Sequence, residues 1–181
     1  MRGVILAGGT GSRLYPLTKK VSKHILPVGK MPMIYYPLNT LYRGGIRDIM
    51  IVSGKEHLGQ LIELMGSGQE YNCRFTYRVQ DDAGGIAQAL SLAQGFSQGG
   101  PLAVILGDNV FVNVDISYAV EEFSEQCQDV LTPNCRLFIK QVPDPHRFGV
   151  PTLVDNTIVN ITEKPENPDS NYAVTGLYFY D

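Results

Sequence analysis

The sequence has 181 residues, of which 44% are hydrophobic and 18% charged, and its formal net charge is −3. This length and composition predict one folded domain rather than a disordered chain. The sequence contains no basic tract, which argues against nucleic acid as a partner, and no apolar run approaches a membrane span or a secretory leader. Three scattered cysteines match neither a disulfide framework nor a zinc site, so a cytoplasmic protein is expected.

Strands and helices are predicted to alternate over the first 142 residues. The strands are short apolar runs, mostly continuous, which indicates burial on both faces. The helices show apolar residues at i, i+3, i+4 and i+7. In chain order the predicted elements are strand 3–7, helix 33–43, strand 49–53, helix 58–65, strand 75–79, helix 86–93, strand 102–106, helix 116–127 and strand 137–142.

Local signals refine two of these helices. Pro37 is expected to kink the helix at 33–43, and Gly44 and Gly45 to end it. Asp115 is the predicted N-cap of the helix at 116–127. Cys127 continues the apolar face of that helix, so we interpret it as a core residue rather than a reactive thiol.

The last forty residues have a different pattern. Strands are predicted at 148–154, 157–162 and 173–180, with no helix between them. The chain is therefore predicted to be a single α/β domain over residues 1–181. Its core is a doubly wound, mostly parallel Rossmann-like sheet, with a mixed-sheet extension near the C-terminus, over the carboxyl ends of the parallel strands. Ligands of such sheets bind at those carboxyl ends, where the loops 8–13, 80–85 and 107–109 should meet.

The first loop has the composition of a phosphate site. Gly8, Gly9 and Gly11 allow backbone N–H groups to approach an anion, and Arg13 and Lys23 supply cations. The spacing fits neither a P-loop nor the dinucleotide fingerprint. A tight turn with solvated surface cations is the alternative.

Three further sets of polar residues suggest ligand contacts. Asp108 ends an apolar strand and could hold Mg²⁺ carried in by phosphates, or it could cap a turn. Gln80 offers the donor and acceptor that a nucleobase edge needs, and Gly85 could lie against a flat ring, although a polar turn explains both. Glu163 and Lys164 could hold a hydroxyl and an anion, or form a solvated strand end. Together the sets suggest phosphoryl or nucleotidyl transfer, which needs positioning and charge stabilisation more than a general base.

An ordered set of motifs resembles the sugar-phosphate nucleotidylyltransferases, most closely the branch that uses dTTP and glucose 1-phosphate. The motifs are LAGGTGSRLYPLT, SKHILPV, PMIYYPL, GGIAQAL, LGDN, RFGV, EKP and SNYAVTGLYFYD, and they run from Met1 to Asp181. The resemblance implies attack by the sugar phosphate on the α-phosphorus of the nucleotide, with Mg²⁺ as cofactor, giving dTDP-glucose and pyrophosphate.

The resemblance also implies roles for individual residues. Arg13 would bind the leaving pyrophosphate, and Lys23 would neutralise charge at the α-phosphorus. Asp108 would hold Mg²⁺, and Lys164 would bind the sugar phosphate. The nucleotide would contact Leu6, Gly8, Gly9, Gly11, Gln80 and Gly85, and the sugar site would include Gly149, Glu163 and Val174.

The sequence departs from the family pattern at several points, of which two bear most on function. His24 stands where some relatives have Gln, which would alter contacts near the phosphates. Family members also continue past the position of Asp181 through segments that include a second metal-binding Asp, so we expect a domain lacking the family's C-terminal segments. We expect such a chain to bind dTTP, turn over slowly and self-associate. The alternatives are a binding module with little turnover and the UTP-using equivalent, since one methyl group separates the two bases only weakly.

Overall fold

The computed structural model describes residues 1–81, 84–128 and 134–181. Ten strands and five α-helices form within them. The strands are β1 Arg2–Leu6, β2 Pro27–Val28, β3 Met31–Pro32, β4 Asp48–Gly54, β5 Arg74–Gln80, β6 Leu102–Leu106, β7 Cys135–Gln141, β8 Gly149–Val154, β9 Thr157–Glu163 and β10 Tyr172–Tyr180. The helices are α1 Tyr35–Arg43, α2 Lys55–Met65, α3 Gly85–Ser91, α4 Gln94–Ser97 and α5 Ser117–Gln126.

A six-stranded sheet of order β5-β4-β1-β6-β10-β7 forms the centre of the domain. Strands β5, β4, β1 and β6 pair in parallel, and β10 runs antiparallel between β6 and β7. Strands β8 and β9 form a separate hairpin. The predicted mostly parallel sheet is thus confirmed, and so is the mixed region near the C-terminus, with β10 inserted into the main sheet.

Strand burial follows position in the sheet. Strands β1, β4 and β6 are buried along nearly their whole length, as their continuous apolar runs predict. The same expectation is wrong for β5 and β7, which carry partly or fully exposed residues. Both are edge strands in the observed order, so they have a neighbouring strand on one side only.

Alternate residues of the buried strands face two separate hydrophobic cores. Ile5 and Ile105 belong to the core that also holds Leu41 of α1, Leu61 of α2 and Phe123 of α5. The opposite core contains Val4, Leu6 and Val104, packed with Ala89 of α3 and Ala93 beside α4. Helices therefore cover both faces, which makes the sheet doubly wound. Among the described residues, no helix is both long and apolar enough to cross a bilayer.

The helix boundaries correct three local predictions. Pro37 is the third residue of α1, where its missing N–H needs no intrahelical acceptor, so it does not have to kink the helix. The helix expected at 86–93 is α3, which ends at Ser91, where the Ser91 hydroxyl donates to the Gln88 carbonyl; the short helix α4 lies beyond the predicted range. Ile116 occupies the N-cap position of α5, although the Asp115 carboxylate does accept the Ser117 N–H at 2.9 Å. Cys127 packs against the first core, as expected.

Candidate active site

The loop that follows β1 is shaped by small residues. Gly11 has φ +61°, and a Cβ there would lie 3.0–3.3 Å from Thr18 and Lys23. The buried Thr18 hydroxyl donates to the Gly11 carbonyl at 2.6 Å. This close packing fixes the loop against the segment that carries Lys23, so a larger residue at position 11 would separate the two.

A cleft of about 320 Å³ lies at the carboxyl ends of β1, β5 and β6. It unites the three predicted loops, because adjacent parallel strands end at the same edge of the sheet. Seven predicted site residues line it: Leu6, Gly8, Gly9, Lys23, Gln80, Gly85 and Asp108. Of the loop 80–85, Asp82 and Ala83 lie outside the described residues.

An ion pair joins the loop 107–109 to the short 3-10 helix Lys23–Ile25. Lys23 Nζ donates to Asp108 Oδ2 at 2.5 Å, across 85 positions of sequence. Asn109 donates its side-chain amide to Asp108 Oδ1 at 3.2 Å. Burial by itself would raise the pKa of Asp108. The hydrogen bond from Lys23, the positive charge of Lys23 and the hydrogen bond from Asn109 have the opposite effect, and together they hold that pKa below its usual value. Asp108 is therefore a carboxylate at neutral pH.

His24 is a buried cleft residue that the sequence marked as a departure from the family pattern but did not assign to the site. Its side chain is 1% exposed, and its Nδ1 lies 3.2 Å from the Ser22 hydroxyl. Burial, followed by the charge of Lys23, lowers its pKa to about 4, so the ring is neutral at pH 7. A Cβ on Gly107 would lie 2.7 Å from His24 Cδ2, so the ring occupies the space that glycine leaves beside Asp108.

Gln80 is held in place by a second glutamine. Its Nε2 donates to Gln88 Oε1 at 2.8 Å and to the Gly85 carbonyl at 3.2 Å. Its Oε1 lies 3.2 Å from the position of a Cβ on Gly8. The side chain therefore crosses the cleft with its oxygen toward the glycine loop. Gln88 is a supporting residue that lay within the quoted GGIAQAL motif but had no assigned role.

The residues predicted for the sugar site form a separate group. Gly149 pairs with Glu163 across the β8–β9 hairpin, and a Cβ on Gly149 would lie 3.3 Å from Glu163 Oε2 and 4.0 Å from Val174 Cβ. Lys164 Nζ lies 3.1 Å from Glu163 Oε1, and both side chains are more than half exposed. The structure thus brings these four residues together, outside the cleft.

Asn109 connects the two groups, and it too was absent from the predicted set. Its Oδ1 accepts the Gly176 N–H of β10 at 3.0 Å, while its amide contacts Asp108. Arg13 lies on a short exposed 3-10 helix, Ser12–Leu14, and does not line the cleft. Both Asn109 and Gly176 lie in quoted motifs, LGDN and SNYAVTGLYFYD, but nothing in the sequence indicated that they contact each other.

A larger hollow of about 580 Å³ lies elsewhere, between α5, β7 and β9. None of its lining residues belongs to the predicted set, and they are chiefly strand residues such as Leu137, Ile158 and Ile161. The smaller cleft holds the convergent polar and charged groups, so we take the smaller cleft as the candidate site.

The donor set of the cleft limits how a metal could bind. Across residues 1–81, 84–128 and 134–181, no three His, Cys, Asp or Glu side chains are placed to hold a metal ion. Asp108 supplies one hard oxygen ligand in the cleft. That set fits Mg²⁺, which commonly binds through one or two carboxylates together with substrate phosphates rather than in an all-protein cage.

Fold and site together define a class of protein. A doubly wound sheet carries a glycine loop, an ordered lysine and a carboxylate at its carboxyl edge, the arrangement of a nucleotide-binding α/β domain. A sequence model described as nucleotidyl transferase matches residues 2–181. The chain belongs to the nucleotidyl transferase family.

Curated relatives of the chain carry a more specific name than the family. The chain is 42% identical over 182 residues to glucose-1-phosphate thymidylyltransferase of Neisseria meningitidis serogroup A, covering 100% of this chain and 62% of the relative. It thus spans about three fifths of the length of the curated relatives it matches.

Solved structures agree with the fold. A proposed glucose-1-phosphate thymidylyltransferase of Bacillus anthracis, in complex with sucrose, is 52% identical with a TM-score of 0.93, covering 100% of this chain and 71% of that one. The apo form of a UDP-glucose pyrophosphorylase, at 21% identity and TM-score 0.80, covers 99% of this chain and 76% of that one. At that identity the second likeness concerns the fold alone.

Proposed function

We propose that residues 1–181 form a single nucleotidyltransferase domain that joins dTTP and glucose 1-phosphate into dTDP-glucose and pyrophosphate. The observation that carries this proposal is the cleft in which Gly8, Gly9, Lys23, Gln80 and Asp108 converge at the ends of three parallel strands. Family membership and the names of the relatives support the same reaction.

The chemistry requires charge stabilisation and alignment. An oxygen of the sugar phosphate bonds to the α-phosphorus of dTTP, the bond from that phosphorus to the oxygen bridging the β-phosphate breaks, and its electron pair leaves with pyrophosphate. A phosphate monoester has a second pKa of about 6, so the attacking group is mostly dianionic at neutral pH. No general base is needed, in agreement with the buried His24, whose lowered pKa of about 4 makes the ring a weak base.

We assign roles to the residues that line the cleft, and to Gly11 and Arg13 beside it. Gly8, Gly9 and Gly11 bring backbone N–H groups to the triphosphate, and Lys23 stabilises charge at the α-phosphorus. Mg²⁺, held by Asp108 and phosphate oxygens, would neutralise the triphosphate. Arg13, on the exposed helix beside the glycine loop, is the proposed ligand of the leaving pyrophosphate.

The base is proposed to lie between Gln80 and the apolar part of the cleft. Gln80 Oε1 would accept the N3–H of a pyrimidine, while Gln88 keeps the amide oriented. Leu6, Gly85, Ile86 and Ala89 line the same cleft, and they offer apolar contact to the thymine methyl group. One methyl contact is worth about 1 kcal/mol, so dTTP should be favoured over UTP by no more than roughly tenfold.

The sugar phosphate is proposed to contact the hairpin group. Lys164 would bind its phosphate, while Gly149, Glu163 and Val174 would surround its hydroxyls. The Asn109 bridge to Gly176 supports this arrangement, because it ties the Asp108 loop to β10, the strand that carries Val174.

A coupled pyrophosphate-release assay tests the proposal. The chain is supplied with Mg²⁺ and with dTTP or UTP, each with and without glucose 1-phosphate, beside an Asp108→Asn variant. We expect pyrophosphate only when nucleotide and sugar phosphate are both present, and much less from the variant. Nucleotide binding without release would assign a binding module instead, and the absence of both would overturn the proposal.

A further inference from the structure

The Lys23–Asp108 ion pair is anchored on both sides. Ser22, next to Lys23, donates its backbone N–H to Gln60 Oε1 at 2.8 Å, and Gln60 donates to the Lys20 carbonyl at the same distance. Asn109 fixes the other partner through Asp108 Oδ1 and the Gly176 N–H. The Lys23 and Asp108 side chains are only 21% and 37% exposed. The pair is therefore a defined feature of the cleft, in contrast to an ion pair between free surface side chains.

In this pair the ammonium of Lys23 and the carboxylate of Asp108 bind each other, although the proposed reaction needs each of them for a different ligand. Lys23 is assigned to the α-phosphate and Asp108 to the metal, yet each is the partner of the other here. Asp108 Oδ2 is occupied by the ammonium and Oδ1 by the Asn109 amide. A divalent ion without nucleotide would meet one carboxylate, already neutralised, and would have to approach within a few ångströms of a positive charge.

We propose that Lys23 holds the metal position on Asp108 closed until the nucleotide arrives. When a metal–triphosphate complex enters, the Lys23 ammonium exchanges Asp108 Oδ2 for a phosphate oxygen, and Oδ2 becomes free for the metal. Each cation keeps an anionic partner throughout the exchange, so no buried charge is left unpaired. This inference rests on the proposed function, because it names a second role for Lys23 in the same cleft.

Removing a binding-site residue ordinarily weakens binding, but removing Lys23 should strengthen the binding of a metal ion in the absence of nucleotide. Linkage requires that nucleotide raise metal affinity by the same factor as metal raises nucleotide affinity. Loss of Lys23 should therefore also reduce this mutual enhancement.

The test measures Mn²⁺ binding without nucleotide, from the electron paramagnetic resonance signal of free Mn²⁺. In Lys23→Met the dissociation constant should fall about tenfold or more, the lower end of the effect of a charge within about 4–6 Å on an ionic equilibrium. Lys23→Arg keeps the positive charge and should bind Mn²⁺ as the unmodified chain does. Lys20→Met removes an exposed charge nearby and is the matched control.

Two results would overturn the inference. One is unchanged or weaker Mn²⁺ binding by Lys23→Met with an intact circular dichroism spectrum. The other is tighter binding by Lys23→Met that persists when Asp108→Asn is added, since the gain would then come from another site. Lys23→Arg also keeps the inference testable if Lys23→Met does not fold, because a tenfold gain in the arginine variant contradicts it.

Calorimetric titration with dTTP separates this inference from the proposed function. If dTTP binds the unmodified chain and Mn²⁺ affinity does not respond to Lys23→Met, the closed metal position is wrong and the nucleotide site stands. If Lys23→Met binds Mn²⁺ more tightly while neither the unmodified chain nor any variant binds dTTP, Lys23 does block the metal position on Asp108, and the proposed function is wrong.

Discussion

The two groups of candidate residues differ in how the fold supports them. The glycine loop and Asp108 follow β1 and β6, strands whose side chains are almost fully buried, such as Val4, Ile5 and Ile105. The hairpin group depends on β8 and β9, and β9 is exposed along most of its length. Residues that directly follow buried parallel strands are held in place by the sheet, whereas residues on an exposed hairpin have fewer contacts to restrain them.

The ion pairs of the two groups show the same difference. Lys23 and Asp108 are partly buried and held by neighbouring side chains, whereas Lys164 and Glu163 are adjacent in sequence and 59% and 70% exposed. Exposed pairs contribute little to stability because water screens them and side-chain entropy opposes them. The cleft is therefore the better preorganised of the two groups, and the hairpin, where the sugar phosphate is proposed to bind, is the less restrained one.

The largest expected effect comes from breaking each ion pair at its lysine. Lys23→Ala should lower kcat/KM by about 10²-fold or more, because it removes the electrostatic donor proposed for the reacting phosphorus. Lys164→Ala should act mainly on the KM for glucose 1-phosphate. Steady-state kinetics with each substrate varied in turn measure both. Equal losses in both variants would remove the distinction between the two sides.

Acidification should destabilise the cleft side through His24. Between pH 6.5 and about 4 the unfolded chain takes up a proton that the buried ring refuses, so the free energy of unfolding falls as the pH is lowered. From pH 7 to pH 5 this contribution amounts to about 2 kcal/mol. Denaturant titrations at both pH values should show a smaller fall for His24→Gln than for the unmodified chain.

The matched control for that prediction is His146→Gln, which removes an exposed histidine near the hairpin. It should keep the pH dependence of the unmodified chain. If His24→Gln shows the same fall as well, the ring is not the group that resists protonation.

Matched glycine substitutions compare the packing of the two sides. Gly107→Ala places a methyl group 2.7 Å from His24 Cδ2 and 3.1 Å from the Leu6 carbonyl, which should cost about 1–3 kcal/mol. Gly149→Ala meets Glu163 Oε2 and Ile161 Cγ2 at 3.3 Å, and the exposed carboxylate can move aside. Its cost should stay under about 1 kcal/mol. Thermal unfolding measures the stability of both variants. A larger loss of stability for Gly149→Ala than for Gly107→Ala would contradict the comparison.

The smallest expected effect concerns ligand selectivity. Gln80→Ala should weaken dTTP binding by about 1–2 kcal/mol and leave glucose 1-phosphate binding unchanged, because the base edge loses its partner. Glu163→Ala should do the reverse. Calorimetric titrations of both variants with both ligands give the four values. If a variant loses affinity for both ligands equally, the substituted side chain supports the fold rather than one ligand.

Local sequence patterns were sufficient to locate eight of the ten described strands and the loops of the cleft, but not the two-residue strands β2 and β3. The run at 102–106 coincides with β6, and the other predicted strands agree with the observed ones to within two residues at each end. The loops 8–13, 80–85 and 107–109 converge because the order of parallel strands places their carboxyl ends together. The roles of Arg13, Lys164 and the other assigned residues remain predictions.

The sequence by itself thus determined which residues are apolar, which turns need glycine and which motifs match a family, since these depend on neighbours in the chain. Only the tertiary structure decided that β10 enters the sheet beside β6, that β5 and β7 are edges, and that Pro37 falls where it breaks no hydrogen bond. The same holds for the burial of His24 and for the pairing of Lys23 with Asp108. Such contacts join residues up to 85 positions apart, and they depend on strand order, which local periodicity does not encode.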